Sequence, residues 1–175
     1  MIQSHIERFF LAVTLVALQA LIFNHIHIYG YATPFICVYF ILTLPLSTAK
    51  WAKLLWGFVI GLAQDTFANT PGVMAATMTF LALIHDPLLT IVGGEDKDDK
   101  DEIVIPSAKS LGLIPFLRYA AVMILIQNTV FYLLMTFNFA TLNDMLINIG
   151  GSTVLSFLII WFIEGLRNSV AKHKK

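Results

Sequence analysis

The sequence predicts an all-α integral membrane protein, a bundle of six transmembrane helices with both termini cytoplasmic. Three observations lead there. First, 58% of the 175 residues are hydrophobic and only 13% are charged, with a mean hydropathy of +0.79. A soluble domain carries roughly 25% charged residues, so the deficit excludes an ordinary globular protein. Second, the apolar residues gather into six segments of membrane-crossing character. Third, the basic residues sort to one side of those segments.

The first segment, residues 9–28, holds 20 residues, enough to cross a hydrocarbon core of roughly 30 Å. It exceeds a signal-peptide apolar core and no A-x-A site follows it, so it reads as a retained helix. The second, 33–46, opens near Pro34 and closes on Pro45; it is short, which suits a thin or tilted span. The third covers 51–68. The fourth covers 71–92, with Thr70 expected as N-cap and Pro71 at the first helical position. His85-Asp86-Pro87 interrupts it, and the proline is expected to kink or end the helix and leave 88–92 along the membrane surface. The fifth covers 113–137 and the sixth 144–165. The whole of 1–175 then forms one polytopic domain with an acidic cytoplasmic loop at about 93–112, read as a solvated connection.

Orientation follows from charge. Arg8 precedes the first segment, Lys50 and Lys53 stand where the second gives way to the third, and Lys97, Lys100, Lys109 and Arg118 stand between the fourth and the start of the fifth. Arg167, Lys172, Lys174 and Lys175 follow the sixth, which places all eleven Lys and Arg on one side of an alternating topology. By the positive-inside rule that side is the cytoplasm. An odd number of spans would put one basic end outside. The basic tail also suits anionic lipid headgroups.

Within the third segment Gly57, Gly61 and Asp65 recur every four residues, followed by Asn69-Thr70-Pro71-Gly72. Four residues advance by about 40° beyond one turn, so the three share a helix face. Small residues on such a face let a second helix approach closely, and Gly72, Ala75, Ala76, Gly150 and Gly151 keep other helix ends slim in the same way. Asp65 stands fourteen residues beyond Trp51, roughly 21 Å into the span. Asn24, His25, Gln127, Asn128, Asn148 and Ser152 fall at comparable depth, so a buried polar layer in the outer half of the bundle is expected, because polar groups in hydrocarbon must find one another. Three roles are open to Asp65: a cap on the fourth helix or the Asn69 turn, a partner within the polar layer, or a proton relay or solute ligand. The other acidic residues, Asp86, Asp144 and Glu164, are expected at helix ends, which does not make a relay.

No catalytic constellation is visible: no nucleophile–base pair, no phosphate-binding glycine loop and no metal-ligand spacing. His25 and His27 lie two apart and so on different helix faces. Cys37 is the single cysteine and reads as a small buried hydrophobe. The expectation is a protein that is not an enzyme and holds no cofactor or metal.

Pro34, Pro45 and then Gly57-x3-Gly61-Leu62-x2-Asp65-x5-Pro71-Gly72, followed by a small-residue helix, resemble the rod shape-determining protein MreD family. Chain size, multispan topology and the basic tail agree in outline; the specific part of the likeness covers 34–76. The resemblance implies a non-enzymatic scaffold of the bacterial cell-elongation machinery in the inner membrane, involved in cell shape and peptidoglycan synthesis. It implies an MreC-type bitopic membrane protein as partner and, through it, an actin-like filament protein and a peptidoglycan polymerase/transpeptidase pair. The lipid bilayer is the surrounding medium, and no nucleic acid is expected among the partners. That family also resembles in fold the substrate-binding components of energy-coupling-factor transporters, which makes a membrane subunit that binds a small solute the alternative function. Fold likeness alone does not carry transport over.

Overall fold

The computed structural model describes residues 2–23, 33–93, 105–136 and 142–173. Among these residues the chain forms helices α1 (Ile2–Leu21), α2 (Val38–Leu42), α3 (Lys50–Ala68), α4 (Val73–Gly93), α5 (Leu113–Met135) and α6 (Leu142–His173), and no strand. Three stretches, Val73–Val92, Leu113–Met135 and Asn143–Arg167, are long and apolar enough to cross a membrane.

The long helices stand in an arc. Helix α3 packs against α1 and α4, α4 against α5, and α5 against α6, while α2 touches α1, α4 and α5 from inside. The core therefore forms around the 33–46 segment: residues 34–42 are all buried, with Leu81 and Leu89 of α4 and Phe116, Ala120 and Met123 of α5 among the residues packed around them.

This inner segment departs from the expected second transmembrane helix. Only the five residues of α2 are helical, and 33–36 run without regular secondary structure. Non-helical backbone at membrane depth is tolerable only when protein groups satisfy it. Here they come from the two ends of the arc. From α1, Gln19 donates its Nε2 to Pro34 O at 2.9 Å and accepts Ile36 N at its Oε1 at 2.8 Å. From α6, Ser152 Oγ accepts Thr33 N at 3.0 Å and Ser156 Oγ accepts Phe35 N at 2.8 Å. Pro34 has no N–H to satisfy, so it fits the start of such a path. An extended residue advances up to roughly 3.3 Å against about 1.5 Å in a helix, so a short stretch travels far. It runs from the level of Ser152 to Leu46, whose carbonyl accepts Lys53 Nζ at 3.4 Å.

Other boundaries also move. Helix α1 begins at Ile2, so Glu7 and Arg8 are helical, and residues 24–32 lie outside the described residues. Helix α4 is not ended by Pro87; it continues to Gly93. The proline forfeits one backbone hydrogen bond, but the adjacent Asp86 is held by Lys53 of α3 and Thr90 Oγ1 donates to Asp86 O at 3.0 Å. Helix α6 extends to His173, so Glu164 stands inside a helix and not at its end.

Candidate functional site

The α3–α4 hairpin brings the glycine–aspartate motif together. A Cβ built on Gly57 would lie 2.6 Å from Met78 O, and one on Gly61 only 2.4 Å from Met74 O. Both atoms are backbone of α4, so neither can turn aside. The two glycines thus set the separation of the helices, and Ala75, buried against Gly61, is the small residue on the opposite side.

Asp65 occupies the last turn of α3, 4% exposed, and holds the start of α4. Its Oδ1 accepts Thr70 Oγ1 at 2.9 Å and Met74 N at 2.8 Å, and its Oδ2 accepts Ala75 N at 2.9 Å. These are the orphan donors that a helix N-terminus presents, and a carboxylate there also meets the positive end of the helix dipole. The cap comes from the preceding helix, not from Thr70. The turn between makes this possible: Asn69 closes α3 in the left-handed region (φ 55°) and Gly72 has φ +82°. Because of that positive φ, Pro71 is part of the turn and the helix begins two residues after it, at Val73.

The outward side of this hairpin is a shallow groove of ≈ 730 Å³. Leu54, Phe58 and Leu62 of α3 form one wall, Thr79, Phe80 and Leu83 of α4 the other, with Gly72, Ala75 and Ala76 forming a low end. No charged side chain lines it.

The expected polar layer is distributed among separate contacts. Asn24 and His25 lie outside the described residues. Ser152 joins Thr33 N and, at 2.9 Å, the Tyr132 hydroxyl. Asn128 donates to Ile124 O at 3.0 Å and to Thr153 Oγ1 at 3.2 Å. Gln127 is fully buried with neither amide atom hydrogen-bonded, and the partly buried Asn148 has its Oδ1 unpartnered. Among the described residues the hydrogen-bond partners of Asp65 are Thr70, Met74 and Ala75, in the turn and α4, and not Gln127, Asn128, Asn148 or Ser152.

Sequence reasoning missed two buried ionic clusters. Lys53, 1% exposed, pairs with Asp86, whose Oδ1 also meets His85 Nδ1 at 2.8 Å; the His85 and Tyr119 rings are near perpendicular, their centroids 6.0 Å apart. Glu164, 0% exposed, accepts the Tyr39 hydroxyl at 2.8 Å and Ala108 N at 2.9 Å, with Arg167 Nη1 at 3.6 Å. Lys53 was visible as an early lysine in an apolar run, three residues into α3, but its partner lay beyond the turn. Outside these clusters, partial burial lowers the Arg8 pKa from its ordinary value. Among the described residues no group of His, Cys, Asp or Glu is arranged to hold a metal ion.

The chain matches no family model, no curated protein and no solved structure.

Proposed function

We propose that this protein is a non-enzymatic membrane scaffold of the bacterial cell-elongation machinery. It acts in the inner membrane with an MreC-type bitopic partner, and through it with the filament protein and the peptidoglycan synthase pair. In this reading the chain crosses the membrane six times with both termini inside, its second pass made by the irregular 33–37 stretch and α2.

The observation that carries the reading is the α3–α4 hairpin. Close backbone contact at Gly57 and Gly61 and the Asp65 cap make it rigid. Its outer groove is uncharged, floored by small residues and walled by apolar ones, which is the surface a single transmembrane helix packs into. The motif that resembles the family is thus also the motif that builds the groove. The solute-binding alternative has less support, because the deep carboxylate is already occupied by three donors within its own hairpin.

The test is depletion in a rod-shaped host combined with affinity capture of the full chain in mild detergent. The expected outcome is rounding of depleted cells and co-purification of the MreC-type partner in near-stoichiometric amount. Unchanged shape and wall synthesis on depletion would overturn the proposal.

A further inference from the structure

The arc of helices leaves its two ends, α1 and α6, joined chiefly through the segment between them. In the half of the bundle holding Ser152 and Ser156, the 33–37 stretch fills that space. In the opposite half a cavity of ≈ 390 Å³ remains. Its polar lining is Glu7 and Arg8 from α1, Tyr39 from α2, Thr43 just after α2, and Arg167 from α6. Leu11 and Ile163 continue it along the two flanking helices, and Leu44 lines it from the inner segment.

The charges are unusual for a merely solvated rim. Arg167 is held from behind: its Nη1 donates to Tyr39 Oη at 3.1 Å, while the same hydroxyl donates to buried Glu164. The same Nη1 lies 3.6 Å from Glu164 Oε2, so the ion pair and the hydrogen bond engage one nitrogen of a guanidinium that has five N–H donors. Arg8 is partly buried, and among the described residues its side chain donates to Thr48 Oγ1 at 3.5 Å. Two guanidinium groups, from α1 and α6, therefore line one partly apolar cavity, an arrangement that suits a phosphate. Glu7, on the same lining and exposed, suits a cation attached to that phosphate.

We propose that this cavity binds a zwitterionic aminophosphate headgroup, with the phosphate held between Arg8 and Arg167 and the ammonium at Glu7. The shared chemistry is that of phosphoethanolamine, and the source is a phospholipid in the leaflet at the basic end of the bundle. Its chains leave between α1 and α6 along Leu11 and Ile163. The site lies away from the α3–α4 groove and does not depend on the scaffold reading.

The experiment reconstitutes the full chain in bilayers of equal phosphatidylethanolamine and phosphatidylglycerol, re-extracts it, and counts retained lipids by native mass spectrometry. Wild-type protein is expected to retain phosphatidylethanolamine several-fold over phosphatidylglycerol. Arg8→Gln, which disturbs little else, is expected to lower retention of both about tenfold. Glu7→Gln is expected to keep a bound phospholipid while losing the preference between the two. Thermal unfolding of each variant verifies that it remains folded, and Arg8→Lys, expected to restore part of the retention, guards against a purely structural effect. Equal retention of the two lipids by the wild type, or undiminished retention by Arg8→Gln, would overturn the proposal. Displacement of the lipid by free O-phosphoethanolamine at equimolar amount would overturn the assignment of a lipid as the source.

Discussion

Asp65 is a buried carboxylate whose three donors all belong to one turn and the helix that follows it. Asp65→Asn keeps the shape but puts an amide N–H₂ opposite a backbone N–H, at Ala75 or at Met74. The expected loss is about 2 kcal/mol of stability, read by denaturant titration of the reconstituted protein, with α4 exchanging amide hydrogens faster from its first turn. The glycines make a sharper contrast. Gly61→Val must push α4 away by its backbone and is expected to cost about 3 kcal/mol, within the range of overpacked cores. Gly150→Ala, where an added Cβ meets nothing within 4 Å, is expected to be neutral or slightly stabilising through helix propensity. Equal effects at both positions would contradict the packing described. Asp65 and the two glycines were legible in the sequence because a charge and a four-residue spacing stand out in an apolar run. The donors of Asp65 were not, since two of them are backbone groups that every residue carries, and only the turn geometry says which are in reach.

At the scale of elements, the α3–α4 hairpin was the most legible part of the chain and the 33–46 segment the least. A run of apolar residues that is buried on all sides has no alternating or helical periodicity to distinguish extended chain from helix. Its prolines hinted at irregular structure, yet the residues that satisfy it, Gln19, Ser152 and Ser156, are far away in sequence. Pro87 misled in the other direction, because tertiary contacts of its neighbours outweigh the lost hydrogen bond. The Lys53–Asp86 pair is one such contact, joining α3 to α4 at the end away from the Asp65 turn. Lys53→Met alone leaves Asp86 without its lysine partner and is expected to destabilise by on the order of 2 kcal/mol, discounted because Asp86 is about a quarter exposed. Adding Asp86→Leu is expected to recover most of that loss in the double variant. A strictly additive double-mutant cycle would show that the pair does not couple the helices.

For the molecule as a whole, composition and charge sorting predicted an all-helical membrane bundle, and the described residues form six helices and no strand, with three stretches able to cross a membrane. The arc around an inner segment was not predictable, since it depends on which helices meet and not on any one of them. That arrangement separates two surfaces, the uncharged groove outside α3–α4 and the arginine-lined cavity between α1 and α6. Under the proposed function, the groove receives the transmembrane helix of a bitopic partner. That reading is tested most directly by placing a photo-cross-linking residue at Ala76 or Thr79 in the groove and, as control, at Leu125 on α5, which is 48% exposed. Cross-links to the MreC-type partner's transmembrane helix are expected from Ala76 and Thr79 and absent from Leu125. Partner cross-links confined to Leu125, or none from either groove position in cells that retain rod shape, would contradict the account.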